Sequence, residues 1–254
     1  MARTLIVGNW KMNLNASQSS ILLHRLQERI RILRDVEVVL APSMLVLQPL
    51  SVQLDRRKFR LASQNAYHKD EGAFTGEVSF NMLRDLVHYS IVGHSERRHV
   101  FGETNQDIGL KMAASIRNGI APILCVGETK SQRQTYETKR VIHDQLAAGL
   151  HQITSSDIRR IVIAYEPVWA IGTGEFAKPD QISKVMETIR SYIKDLYGKK
   201  ASEEVRILYG GSVTHDIAPA FLRLEGIDGL LVGGASINYI QFSNIVRIAE
   251  QLRR

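Results

Sequence analysis

Eight short apolar runs recur along the chain: Thr4–Val7, Val36–Ala41, Phe59–Gln64, Tyr89–Gly93, Ala121–Val126, Ile161–Tyr165, Val205–Tyr209 and Gly229–Val232. Between them lie segments with helical periodicity, such as Leu22, Leu26, Ile30 and Leu33, or Ile142, Leu146, Leu150 and Ile153, or Ile182, Met186, Ile189 and Ile193. Each segment buries one stripe. Runs rich in Val, Ile and Leu without strict alternation describe strands covered on both faces, as in parallel sheets flanked by helices. Eight strand–helix units close into an α/β architecture, a (β/α)8 barrel. The alternative, an open doubly wound sheet, lacks the Gly-x-Gly-x-x-Gly that a dinucleotide fold carries after its first strand.

Nothing in the composition divides the chain, and 254 residues with 44% hydrophobic content suffice for one barrel domain spanning 1–254. No apolar run approaches the ~20 residues that cross a bilayer. The first run is broken by Asn9 and Lys11, which argues against a signal peptide. The expectation is a cytoplasmic protein without membrane attachment. Cys125, the one cysteine, sits in an apolar run and reads as a core residue. The net charge of +7 is spread over separate amphipathic segments, and no aromatics interleave with basic residues, so no nucleic-acid partner is expected.

In such a barrel every strand delivers its last residues to one face, and here the apolar runs end in polar groups. The first ends in Gly8-Asn-Trp-Lys11, the third in Gln64-Asn65, the fourth in Gly93-His-Ser-Glu96, the fifth in Gly127-Glu128 and the sixth in Glu166. Singly, each has an ordinary explanation: Asn9 as a turn former, Lys11 as surface charge, Glu96 and Glu128 as first-turn carboxylates favoured by a helix dipole. Together, Lys11, His94 and Glu166 place a fixed cation, an imidazole and a carboxylate on one rim. That set suits acid–base chemistry on a carbonyl.

The last two strands end in Tyr209-Gly-Gly-Ser-Val213 and Leu231-Val-Gly-Gly-Ala-Ser236. Either glycine pair alone fits a tight turn. Side by side, they favour a phosphate site of exposed backbone N–H groups, to which Ser212 adds a hydroxyl. No His/Cys/Asp/Glu cluster has metal-ligand spacing, and no metal or cofactor is expected.

With these stretches in view, the sequence resembles the triosephosphate isomerase family over essentially its whole length. Besides the strand ends above, the match is carried by Gly72-Ala-Phe-Thr-Gly-Glu77, Val92-Gly-His-Ser-Glu-Arg-Arg98, Cys125-Val-Gly-Glu128 and Ala164-Tyr-Glu-Pro-Val-Trp-Ala-Ile-Gly-Thr-Gly174. The resemblance implies a TIM barrel that interconverts dihydroxyacetone phosphate and D-glyceraldehyde 3-phosphate in glycolysis and gluconeogenesis without a cofactor. It implies Glu166 as the base, His94 as the electrophile, and Lys11 and Asn9 as stabilisers of the enediolate, with Glu96 in the supporting rim. A carboxylate base beside a neutral imidazole is a pairing for which this family is itself the standard example. Gly172, Ser212, Gly233 and Gly234 would hold phosphate, and Ile171 and Leu231 would press on the base. A homodimer is implied too, docking through the 65–79 loop, where Phe74 and Thr75 lie between Gly72 and Gly76. Glu175, Ser43-Met44 and Leu14 depart from the usual family pattern, none at a proposed catalytic position.

The stretch after Glu166 also reads by itself. Pro167 fixes φ and stops the strand, Trp169 anchors an apolar body, and Gly172 and Gly174 supply an adaptable tip, as in a flap with a stiff entrance. Two rivals stand beside the isomerase reading. One is another phosphate-binding barrel, which would share the glycine pairs without the Lys11, His94, Glu166 set; the other is a catalytically silent barrel acting as a binding protein.

Overall fold

The computed structural model describes residues 3–171 and 177–252. Eight strands close into a barrel in chain order: β1 (Thr4–Asn9), β2 (Val36–Ala41), β3 (Phe59–Ser63), β4 (Tyr89–Val92), β5 (Ala121–Val126), β6 (Val162–Tyr165), β7 (Arg206–Tyr209) and β8 (Gly229–Val232). Every neighbouring pair is parallel, including the closing pair of β1 and β8.

The two burial faces explain why the runs do not alternate in polarity. One set of strand side chains, including Leu5, Val7, Val39, Ala62, Ile91, Ile123, Cys125, Val162, Ala164, Leu208 and Leu231, forms a cluster of its own, the barrel interior. The intervening set, such as Ile6, Leu40, Leu61, Leu124, Ile163 and Val232, packs outward into the larger cluster shared with the helices. At the strand starts, Arg206 is ion-paired with Glu37 at 2.8 Å, and the Tyr89 hydroxyl donates to Glu37 at 3.0 Å. These polar groups occupy the end of the barrel opposite the expected chemistry.

Boundaries differ from the sequence reading for local reasons. β1 runs on to Asn9 because Gly8 and Asn9 keep register with Leu40 and Ala41. β4 stops before Gly93, whose φ of 70° leaves the extended region. β6 starts after Ile161, whose N–H closes a 3-10 turn onto the Ile158 carbonyl. β7 starts after Val205, whose N–H is bound by the Ala201 carbonyl at the end of the preceding helix. Leu33 and Ile153 continue their stripes in sequence but lie beyond the helices Ala16–Arg29 and Thr138–Leu150. Among the described residues no helix is long and apolar enough to cross a membrane.

Candidate active site

Side chains along a strand alternate between faces, so the inward row continues two residues past each last inward apolar residue. That rule leads from Val7 to Asn9 and from Ala164 to Glu166. Glu166 is flanked by glycines, Gly127 after β5 and Gly210 after β7. The ladder persists around it: its N–H donates to the Val126 carbonyl at 2.8 Å, and the Gly210 N–H donates to the Tyr165 carbonyl at 2.8 Å.

The flanking glycines are required by contact. A Cβ on Gly127 would fall 1.7 Å from the Glu166 carbonyl oxygen, and one on Gly210 would fall 3.0 Å from Glu166 Cγ. The neighbours of the carboxylate are thus cut back to backbone, and Glu166 is 2% exposed.

Two successive N–H groups of one short helix, Ser95–His99, hold Glu166 and His94. The Ser95 N–H donates to Glu166 Oε2 at 2.9 Å, and the Glu96 N–H donates to Nδ1 of His94, the residue capping the helix, at 3.2 Å. Arg98 fixes that helix by donating to the carbonyls of Gly93 (2.7 Å) and Cys125 (2.9 Å). His94 Nε2 then lies 3.0 Å from Glu166 Oε1.

In the neutral ring Nδ1, which accepts that bond, carries no proton, and the imidazole proton is assigned to Nε2, facing Glu166. Burial works against charge on both groups, but their mutual attraction outweighs it. Glu166 is held below the usual carboxyl value by His94, then by the Ser95 N–H and Lys11. His94 is drawn above the usual imidazole value, chiefly by Glu166 and then by Glu96, with Lys11 opposing. The neutral-imidazole expectation thus meets opposing influences: the Glu96 N–H favours the neutral ring, and the facing carboxylate favours the charged one. The upward pull lasts only while Glu166 faces the ring.

Lys11 reaches across the mouth. Its backbone is left-handed, φ 53°, a conformation that costs a non-glycine residue ~1 kcal/mol. The Asn9 side chain supports the bend by accepting the Lys11 N–H at 3.1 Å. Nζ pairs with Glu96 Oε1 at 2.5 Å and comes within 3.9 Å of the place a Cβ would occupy on Gly233.

Asn9, Lys11, His94, Glu166, Ile171, Ser212, Leu231, Gly233 and Gly234 all line one cleft of ≈ 300 Å³. Glu96 does not line it and adjoins through Lys11. Gly172 and Glu175 lie outside the described residues. Ser212 is engaged in a bond that its sequence did not disclose: its hydroxyl donates to the Ala170 carbonyl at 2.7 Å, tying the loop after β7 to the turn after β6.

Glu128 differs from its sequence reading. It precedes Thr129, the N-cap of the next helix, so it lies outside that helix's first turn, and it is fully buried. Its carboxylate accepts from the Tyr165 hydroxyl (3.1 Å), the Trp169 indole N–H (3.0 Å) and Arg133 (2.8 Å). Arg133 also covers the Trp169 ring at 4.5 Å. The 3-10 turn Val168–Ala170 that leads from Glu166 to Ile171 is thereby anchored to the segment that follows β5. A carboxylate directly after a strand-end glycine was the available signal.

Comparison with known proteins identifies the family. Residues 4–249 match the family model described as triosephosphate isomerase. A triosephosphate isomerase of Citrifermentans bemidjiense is 41% identical over 98% of this chain and 100% of its own length. Those of Trichlorobacter lovleyi and Chloroherpeton thalassium are also 41% identical, over 97% and 98% of this chain and 99% and 100% of theirs. On the strength of the closed eight-stranded barrel, the family match and this full-length kinship, the chain belongs to the triosephosphate isomerase family.

Proposed function

We propose that this chain interconverts dihydroxyacetone phosphate and D-glyceraldehyde 3-phosphate through an enediolate, the isomerase step shared by glycolysis and gluconeogenesis, with the residues of the cleft in the following roles. Glu166 takes a proton from the carbon beside the carbonyl. The bonding pair moves into the carbon framework, and the carbonyl oxygen gains negative charge. His94 gives that oxygen its Nε2 proton and recovers a proton from the neighbouring hydroxyl. Glu166 returns its proton to the other carbon, so atoms and charge balance. Lys11 and Asn9 stabilise the charged oxygens, the interaction that contributes most when donors are already in place.

For this, Glu166 exchanges its contacts with Ser95 and His94 for the substrate carbon. Leaving His94 removes the pull toward the imidazolium, so the ring meets substrate in the neutral form that donates from Nε2. Ser212, Gly233 and Gly234 receive the phosphate, with Gly172 as a fourth contributor, and Ile171 and Leu231 shield the base from water.

The observation that carries this reading is the 3.0 Å approach of the Glu166 carboxylate to His94 Nε2 in the cleft that Lys11 also lines. A phosphate-binding barrel of other chemistry needs the glycines but not that pair. Turnover of D-glyceraldehyde 3-phosphate in an assay coupled to reduction of dihydroxyacetone phosphate tests it; no turnover above a preparation lacking the protein overturns it.

The chain acts as one domain, in the cytoplasm, and as a homodimer. In the 65–79 loop the Tyr67 N–H is bound by the Val78 carbonyl at 2.8 Å, and Phe74 packs on Tyr67 with ring centres 4.7 Å apart. Phe74 remains 39% exposed, and Met12, Leu45, Met82, Val100 and Phe101 are exposed as well. A second copy would cover this apolar surface.

A further inference from the structure

The cleft continues past the glycines. Beyond Gly233 and Gly234 its wall is completed by Thr214 from the loop after β7 and by Gln241 from the first turn of the helix Tyr239–Gln251. Nothing in the sequence marks Gln241 as a site residue, and the isomerase chemistry does not call on it.

The backbone of that helix has little to offer an anion. Asn238 caps it, accepting the N–H groups of Ile240 (3.0 Å) and Gln241 (3.1 Å) on Oδ1, and its carbonyl accepts the Phe242 N–H at 2.9 Å. These donors are spent. The Gln241 carboxamide is not: among the described residues no hydrogen bond engages its two N–H donors, and the residue is half-buried at the cleft wall.

The charge balance of the cleft gives such a donor work to do. Of the described residues lining it, Lys11 is the one lysine or arginine, and Lys11 is already paired with Glu96. A phosphate dianion entering there is met mostly by neutral donors, each of which contributes appreciably when it points at a charged acceptor.

We propose that the Gln241 carboxamide donates a hydrogen bond to the substrate's phosphate and so sets the affinity of the site for the phosphate end. The assignment rests on the isomerase reading above. The contact lies on the non-reacting end of the substrate and is the same before and during proton transfer, so it acts as uniform binding: it lowers KM and leaves kcat alone. A neutral amide also leaves the field around Glu166 unchanged, whereas a cation there would deepen the hold on its carboxylate.

The test uses the full chain and four variants: Gln241→Met, which keeps length without a donor, Gln241→Ala, Gln241→Glu and Gln241→Lys. Two quantities are read: KM and kcat for D-glyceraldehyde 3-phosphate, and the inhibition constant of inorganic sulfate, confirmed by calorimetric titration. Expected is a rise of roughly three- to tenfold in both KM and the sulfate constant for Met and Ala, the size of one hydrogen bond to a partly solvated anion. Glu should be weaker still and Lys tighter than the parent, with kcat within about twofold throughout. Sulfate constants within twofold of the parent across all four variants overturn the proposal, as does a fall in kcat with sulfate binding unchanged, which would assign Gln241 to packing. A parent chain that binds sulfate in this order of variants yet shows no turnover would leave Gln241 as an anion ligand and defeat the isomerase reading instead.

Discussion

His94 Nε2 lies 3.0 Å from Glu166 Oε1, and both residues are held there by consecutive N–H groups, those of Glu96 and Ser95, from a single helix end. The arrangement places imidazole and carboxylate at the ends of different strands yet references both to one support. A displacement of that helix would move both partners together and preserve their separation. Residues positioned this way tolerate motion of the loops around them without losing register.

Substituting Glu166 by Gln removes the basic lone pair while keeping an oxygen that can accept the Ser95 N–H. The variant should fold, bind sulfate as the parent does and lose turnover by about 10²–10⁴-fold, the usual worth of a positioned base. Isomerase assays on protein freed of host enzyme check this; a loss below tenfold would remove Glu166 from its role.

The same variant tests the pair's electrostatics. Glu166 is depressed from its ordinary value of 4.5, so its contribution to stability is present above pH 4.5 and is lost as pH falls through the lower folded value. His94 is raised from 6.5, so its contribution is fully present below pH 6.5 and is lost as pH rises through the higher folded value. The stability advantage of the parent over Glu166→Gln should therefore be greatest between about pH 4.5 and 6.5 and decline on both sides. Denaturant titrations at pH 5.5 and pH 9 that give the same difference would refute the coupling.

Much of this site could be read from the order of residues, and what could not has a common cause. The barrel was legible because strands buried on both faces cannot hide their apolar runs, and the rim was legible because Asn9, Lys11, His94 and Glu166 each break such a run. The requirement for Gly127 is not legible there, since it arises from the spacing of two backbones, β5 against β6, which one strand's sequence does not encode. Glu128 was misplaced for a related reason: burial beside Tyr165, Trp169 and Arg133 is a property of three separate segments meeting.

Gly127 supplies a third prediction. A methyl group there would overlap the Glu166 carbonyl, so Gly127→Ala must push β5 and β6 apart at their ends. Overpacking of this kind costs ~1–3 kcal/mol. The displacement falls on the residue that carries the base, so turnover should drop by roughly 10²-fold. Ala substituted at Gly234, where a Cβ would meet nothing within 4 Å, is the control for stability. Equal melting temperatures for the two variants would contradict the close approach.

Dimerisation is checked by mass. Multi-angle light scattering at micromolar concentration should report twice the 28.6 kDa of the chain, and Phe74→Glu should shift the equilibrium toward monomer, because it places a charge on the apolar tip. A monomeric parent with full activity would exclude the homodimer.

The last prediction concerns the join between Trp169 and Glu128. An enediolate with phosphate on the adjacent carbon can expel that phosphate whenever the site opens to water, so the turn carrying Ile171 must remain in place for the lifetime of the intermediate. Trp169 connects that turn to the barrel through its indole N–H on Glu128 and through its ring beneath Arg133. Trp169→Phe removes the first link and keeps the second. A hydrogen bond to a buried carboxylate is worth ~1.5–3 kcal/mol, so loss of half of that from the closed arrangement should lower kcat by roughly three- to twelvefold. Proton abstraction itself should suffer less, because Glu166 and His94 stand at the ends of β6 and β4 and not on the turn. The products should therefore change in proportion: inorganic phosphate and methylglyoxal released per molecule isomerised should rise. Measuring free phosphate and isomer in one reaction decides the matter, and a ratio identical to the parent's would mean that Trp169 anchors the turn without protecting the intermediate.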